Sequence, residues 1–153
     1  MCRARLMLTG LIVLVPTIGS AQAPSRPAPP KLEPIAETKL LMEGLAHPNF
    51  KAVDRLLKEA PADAEAWQLA RGQSLLLAET ANLLMLRPPN GAKSEEAWMA
   101  RATELRDAAG KLAKSAASKD GPKSRAALLV VATSCNRCHE TFRVETRIKM
   151  SEK

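Results

Sequence analysis

The chain has 153 residues, of which 46% are hydrophobic and 25% are charged, a balance that suits one domain with a packed core. Tyrosine is absent and aromatic residues make up only 3%, so Leu and Ala must fill most of that core, and both residues favour helices. The formal charge is +7, but the sequence has no basic cluster interleaved with aromatic residues. This argues against a nucleic-acid partner.

The N-terminal stretch MCRARLMLTGLIVLVPTIGSAQA has the layout of a secretory signal peptide. Arginines precede an apolar run that is too short to span a bilayer, and small residues follow it. We expect cleavage after Ala21, so that residues 1–21 are removed; cleavage after Ala23 and a short uncleaved anchor are the alternatives. Cleavage after Ala21 would remove two arginines and no acidic residue, which lowers the formal charge from +7 to +5. The predicted location is the periplasm, with no stable membrane span left after processing.

A Pro-rich linker is predicted over residues 22–33, and the folded domain over residues 34–150. The stretch PSRPAPPKLEP contains five prolines, a density that cannot sustain a helix or a sheet ladder. A first helix then carries Ile35 and Met42 on one side. It is expected to end at HPNF, because Pro48 restrains the residue before it from helical geometry.

Four main helices are predicted in total. A short amphipathic helix with Phe50 and Val53 on its apolar side follows the HPNF break. Longer helices come next, separated by the turn sequences RPPNG and KDGP, and the last one runs from about Pro122 towards Met150. Their apolar residues lie on one side only, as a bundle core requires. The sequence therefore predicts an all-α, four-helix, up-down-up-down bundle, and the charges within every segment exclude a transmembrane one.

The chemically distinctive stretch is CNRCHETFR, residues 135–143, on the last predicted helix. Cys135, Cys138 and His139 are separated by steps of three and four residues, so they face the same side of that helix. Two thiols one turn apart can each add to a vinyl group of one porphyrin, and the imidazole beside them can reach the iron. Cys-x-x-Cys-His is the attachment signature of c-type haem for this reason. One covalently attached haem c is the predicted cofactor.

Other interpretations of the motif are less well supported. A thioredoxin-like redox pair needs a β-α context, and the sequence contains no convincing strand. A structural zinc site needs four ligands, and the exported chain offers only two thiols and two histidines. A disulfide between Cys135 and Cys138 would explain the thiols but not the adjacent histidine. Haem is favoured, while zinc and a disulfide stay open.

CNRCHETFR, near the end of an exported four-helix chain, resembles the class II c-type cytochromes, the cytochrome c′ and cytochrome c-556 group. The resemblance implies that Cys135 and Cys138 form thioethers and that His139 is the proximal iron ligand. It also implies that Arg143 lies near the haem edge, where it could pair with a propionate; a surface position is the alternative. The aromatic and basic residues that follow the motif match the family pattern. The chain departs from that pattern at HPNFKAVDRLLKEAP, where an extra break is expected.

The sixth position of the iron decides between two functions. In low-spin members of the family a methionine on the first helix occupies it, which implies Met42 here, while Met85 and Met99 are less well placed. His47 is the rival ligand. A second ligand would make the protein an electron carrier for a redox partner protein, whereas an open position would bind a small gas such as nitric oxide. No pair of carboxylates converges on the motif, so an enzyme is the weakest interpretation, and a homodimer is left open.

Overall fold

A computed structural model describes residues 30–152, and all regular structure in this part of the chain is helical. The first helix, α1, runs without a break through three segments: Thr38–Leu41, Met42–Ala46 and His47–Lys58. Three further helices follow: α2 (Ala64–Met85), α3 (Ala92–Ala117) and α4 (Gly121–Thr141). Helix α3 packs on α2 and α4, and α1 packs on α2 and α4. The predicted four-helix up-down-up-down bundle is confirmed, and none of these helices is long and apolar enough to cross a membrane.

Residues ahead of α1 are only partly described. The predicted signal peptide, residues 1–21, and most of the predicted linker, residues 22–33, lie outside the described residues. Residues 30–37 are non-helical and exposed, and the side chain of Ile35 among them is 92% exposed. The prediction that Ile35 lies on the inward side of the first helix is therefore wrong, because α1 begins only at Thr38.

The predicted break at HPNF is also wrong, because α1 passes straight through it. His47 has helical backbone angles, φ −64° and ψ −45°, although a following proline disfavours them. The helix widens just before Pro48: Met42–Ala46 is a π segment, in which the His47 N–H donates to the Met42 carbonyl five residues back. The π turn contains one more residue than an α turn, which shifts the backbone hydrogen bonds by one position. The shift occurs next to Pro48, which has no N–H to donate.

Each helix contributes apolar side chains to a common core at steps of three, four and seven residues. Its deeply buried members include Val53, Ala70, Leu77, Leu112, Leu128 and Val131. Aspartates cap the N-termini of α2 and α4. Asp63 Oδ1 accepts from the Ala66 N–H at 2.8 Å, and Asp120 Oδ1 accepts from the Lys123 N–H at 2.9 Å. Side-chain caps of this kind satisfy N–H groups that have no partner within the helix.

Helix α4 ends at Thr141 and does not run towards Met150 as predicted. Arg143 adopts the left-handed conformation with φ 57°, and the Val144 N–H donates to the His139 carbonyl at 2.7 Å. This is the hydrogen bond of a Schellman motif, which reverses the chain at the end of a helix. No Gly or Pro marks the position in the sequence, so the helical pattern could not predict the reversal.

Residues 144–152 form an extended segment, the strap, which runs back along α4 and reaches α1. The Asn136 side chain holds its middle: Nδ2 donates to the Ile148 carbonyl at 2.8 Å, and Oδ1 accepts from the Ile148 N–H at 2.7 Å. Asp54 holds its end, because Oδ2 accepts from the Ser151 N–H at 2.8 Å and from Ser151 Oγ at 2.7 Å. The strap is therefore attached to two different helices by polar contacts.

Asp54 is a buried charge at the end of the strap, with a side chain only 1% exposed. Arg125 Nη1 donates to Asp54 Oδ1 at 2.8 Å, and Arg125 Nη2 donates to the Ser151 carbonyl. We call these three residues the latch. Burial alone would raise the pKa of Asp54, but hydrogen bonds from Ser151 and from the Arg125 guanidinium outweigh it and hold that pKa below its usual value.

We predict that the stability contributed by Asp54 is lost in acid. A carboxyl with a lower pKa in the folded state stabilises the fold above its unfolded pKa of about 3.9, and this stabilisation disappears as the pH falls through the folded pKa. The free energy of unfolding should differ between wild type and Asp54→Asn by a constant amount above about pH 5, and by less as the pH falls below about 4. Urea unfolding at a series of pH values measures this. A difference that stayed constant down to about pH 2 would contradict it, and exposed Asp107→Asn serves as the control.

Lys119 at the end of α3 repeats the left-handed conformation of Arg143, with φ 56°. A side chain in this conformation costs about 1–2 kcal/mol, whereas a glycine costs about 0.5–1 kcal/mol of backbone entropy. We therefore expect Lys119→Gly to raise the free energy of unfolding by about 0.5–1 kcal/mol. Lys111→Gly, in the interior of α3, should lower it by about 1 kcal/mol. Urea unfolding compares the two, and a destabilised Lys119→Gly would refute backbone strain at this position.

Candidate functional site

The motif on α4 faces a cavity of about 600 Å³ that all four helices and the strap line. This volume lies within the range of about 300–1,000 Å³ that is usual for cofactor pockets. The cavity brings together five of the six predicted site residues, which are Cys135, Cys138, His139, Met42 and, as the rival ligand, His47. Most of the remaining lining is apolar and includes Phe50, Leu77, Leu84, Leu105 and Ile148.

The two cysteines lie one turn apart on α4 and are free thiols. Burial raises the pKa of the Cys135 thiol to about 12, and a second thiol close by adds to this effect. Burial also raises the pKa of Cys138, although the positive charge of Arg101 opposes it. Both sulfurs are therefore protonated at neutral pH and sit in a mainly apolar environment.

The strap orients His139. Nδ1 of the imidazole lies 2.7 Å from the carbonyl oxygen of Thr146, and because a carbonyl can only accept, Nδ1 carries the proton. In the neutral imidazole Nε2 then carries the lone pair with which the ring can bind a metal. Sequence reasoning missed Thr146, because no pattern in the sequence signals that the chain reverses before it.

An aromatic pair lines the cavity beside the motif. The rings of Trp98 on α3 and Phe142 at the end of α4 meet edge to face, with centroids 5.0 Å apart and planes at 71°. Trp98 Nε1 also donates to the Leu84 carbonyl at 2.6 Å, which ties α3 to the end of α2. These contacts hold a rigid apolar wall next to the cysteines.

Helix α1 contributes both candidates for a second ligand. Met42 is half-buried and packs against the core, whereas His47 is exposed even though it lines the cavity. Met42 is the first residue of the π segment, and His47 directly follows its last residue. Such turns occur frequently at functional sites. Pro48 within an otherwise helical pattern was the one signal in the sequence that pointed to an irregularity here.

Arg143 is the one predicted site residue that does not line the cavity. It is exposed, and it occupies the left-handed position that ends α4. Its neighbours Phe142 and Val144 do line the cavity, so the backbone of Arg143 lies close to the rim. Pairing of Arg143 with a haem propionate stays a prediction.

The donor set and the space are compatible with haem. Two thiols one turn apart and an imidazole with a free Nε2 lone pair open onto an apolar cavity large enough for a cofactor. A structural zinc site would need four ligands. Within residues 30–152, no group of three or more His, Cys, Asp and Glu side chains is gathered as a metal-ion site.

Comparison with known proteins finds a family model that matches the segment containing the motif. Residues 91–143, which include α3, α4 and the whole motif, match the family model described as Cytochrome C'. This segment is similar to the class II c-type cytochromes. The resemblance inferred from CNRCHETFR is thereby confirmed for this segment, and the matching family implies haem binding. No curated protein matches the chain, and no solved structure does.

The cytochrome c′ match covers about a third of the chain and ends at Arg143. Helix α1, with Met42 and His47, lies before the matched segment, and the strap lies after it. The match therefore includes the residues of the attachment motif and leaves out both candidates for the sixth ligand. It also leaves out Thr146, which orients His139.

Proposed function

We propose that this chain is an exported c-type cytochrome that carries one covalently attached haem and exchanges electrons with a redox partner protein. The observation that supports the proposal is the shared cavity, onto which Cys135, Cys138 and His139 open from α4 and Met42 opens from α1. The predicted signal peptide supports a periplasmic location. The absence of a converging carboxylate pair in the sequence motif favours electron transfer over an enzymatic reaction.

Each motif residue has a distinct role in this proposal. Cys135 and Cys138 would hold the porphyrin through thioether bonds: each sulfur bonds to one vinyl carbon, and the thiol hydrogen goes to the other. His139 would bind the iron through Nε2, because Nδ1 is engaged by Thr146. A bound haem supplies an iron centre that accepts and releases one electron. The apolar residues of the cavity keep water away from it.

Met42 is the proposed sixth ligand. Its half-buried thioether lines the cavity and packs against the core, which holds it in place, whereas the exposed His47 is free to remain in solvent. A thioether ligand raises the reduction potential of the iron relative to a second imidazole. His/Met ligation would suit an electron carrier.

The alternative is a five-coordinate haem that binds a small gas such as nitric oxide. The mainly apolar lining of the cavity is the observation that supports it, because an uncharged diatomic molecule needs no polar partner. In this alternative Met42 packs in the core without binding the iron.

The first test is an absorption spectrum of the exported protein, made in cells that can attach c-type haem. It is recorded oxidised and dithionite-reduced, with and without carbon monoxide. Sharp low-spin bands that carbon monoxide does not move would support the electron carrier. A high-spin spectrum that shifts with the gas would support the alternative. Haem absent from the chain after denaturing electrophoresis would refute covalent attachment in both.

We predict that Met42→Ala converts a low-spin haem into a high-spin haem, because alanine has no donor atom for the sixth position. The absorption spectrum of the oxidised protein reports the change. His47→Ala is the matched control from the same turn of α1 and should leave the spectrum as in wild type. If His47→Ala changed the spin state and Met42→Ala did not, His47 would be the sixth ligand and Met42 would not.

We predict that Arg143→Gly lowers the reduction potential of the haem. Removing a positive charge near a propionate makes the addition of an electron less favourable. Lys119→Gly is the matched control, because it relieves the same left-handed backbone at the end of α3 without touching the cavity. A redox titration of both variants measures the effect. Equal potentials in the two variants would show that Arg143 does not interact with the haem.

A further inference from the structure

We propose that the latch formed by Asp54, Arg125 and Ser151 positions His139 through the strap. None of the three latch residues lines the cavity, so they act on the haem ligand only through the intervening backbone. The inference rests on the proposed function, because it takes His139 as the iron ligand. It adds three residues outside the motif to the site, and two of them, Asp54 and Ser151, also lie outside the family match.

The strap needs polar anchors because it buries little apolar surface. Residues 144–147 are exposed, and only Ile148, Met150 and Ser151 in the second half are half-buried. Apolar contact by itself is therefore a weak hold on this segment. The Asn136 side chain fixes Ile148 with two hydrogen bonds, and the latch fixes the end.

Thr146 lies between the fixed points of the strap. On one side, the Val144 N–H donates to the His139 carbonyl; on the other, the backbone of Ile148 is paired with Asn136. The carbonyl that accepts from His139 Nδ1 belongs to the backbone, so its position depends on how the strap is held. Fixing the strap on both sides of Thr146 holds the Thr146 carbonyl at hydrogen-bond distance from His139 Nδ1.

The latch is a strong anchor because it satisfies a buried charge. Asp54 has one oxygen bonded to Arg125 and the other bonded to the backbone and side chain of Ser151. If the strap were released, Asp54 would lose both donors of Ser151, and Arg125 would lose the Ser151 carbonyl. Leaving buried polar groups unpaired is unfavourable, so the closed strap is favoured over a free one.

The strap would affect the haem through His139, the proposed iron ligand. An imidazole that donates from Nδ1 to a carbonyl is fixed in one tautomer and one orientation, and its Nε2 becomes more basic. The latch residues are thus positioning residues for His139, and their loss should be detectable at the Nδ1–H group.

The test follows the exchange of the His139 Nδ1–H proton with solvent deuterium, by proton NMR of the haem-loaded protein. Backbone amide exchange of Ile148 is measured in the same samples. Asp54→Asn removes the negative charge of the latch, and Ser151→Ala removes only the hydrogen bond from Oγ. A chain that ends after Met150 removes every contact of Ser151 with Asp54 and Arg125. We expect Nδ1–H exchange to accelerate at least about tenfold in the shortened chain and in Asp54→Asn, and by less in Ser151→Ala.

Leu112→Ala is the control for general loss of stability, because Leu112 is fully buried and lies outside the cavity lining. A chain that lacks only Lys153 is the control for shortening. Both should exchange Nδ1–H at the wild-type rate. If Leu112→Ala accelerated the exchange as much as Asp54→Asn, the inference would be overturned, since the effect would then be one of stability.

The outcomes separate this inference from the proposed function. A chain that carries haem but keeps slow Nδ1–H exchange, while the Ile148 amide loses protection, overturns the inference and leaves the proposed function intact. A chain without haem overturns the proposed function, and this inference with it. If the shortened chain failed to fold, Ser151→Ala would still decide the question, because it removes a single hydrogen bond at the end of the strap.

Discussion

The reversal of the chain at Arg143 is the constraint on which the site depends. If α4 continued as a helix, Thr146 would lie seven residues beyond His139, about 10 Å further along the axis. The reversal instead brings the Thr146 carbonyl to 2.7 Å from Nδ1 and lets the strap close one side of the cavity. A left-handed arginine costs about 1–2 kcal/mol, and the polar anchors of the strap offset this strain.

A second irregularity lies on the opposite helix of the cavity. The π segment Met42–Ala46 carries Met42 and directly precedes His47, so both candidates for the sixth iron ligand depend on a helix that departs from α geometry. Local rules of helix formation fail at both places, and both places line the same cavity. Departures from local preference are expected where a protein builds a functional site, because tertiary contacts must stabilise them.

The family match divides the site into two parts. Helices α3 and α4 with the attachment motif form the part that matches the cytochrome c′ family model. Helix α1 and the strap, outside the match, hold the residues that determine how the iron would behave: Met42 or His47 on one side, and Thr146 behind His139 on the other. In the proposed function, the attachment of the haem and the behaviour of its iron thus depend on different segments of this chain.

The sequence by itself determined the all-helical bundle, the position of the motif and the common face of Cys135, Cys138 and His139. These follow from residue spacing and from turn signals such as RPPNG and KDGP, which act over a few residues. The continuous first helix, the end of α4 and the strap were decided by tertiary structure. The latch shows the reason: Asp54 binds Arg125 across 71 residues and Ser151 across 97, and no local pattern reports a contact over such a separation.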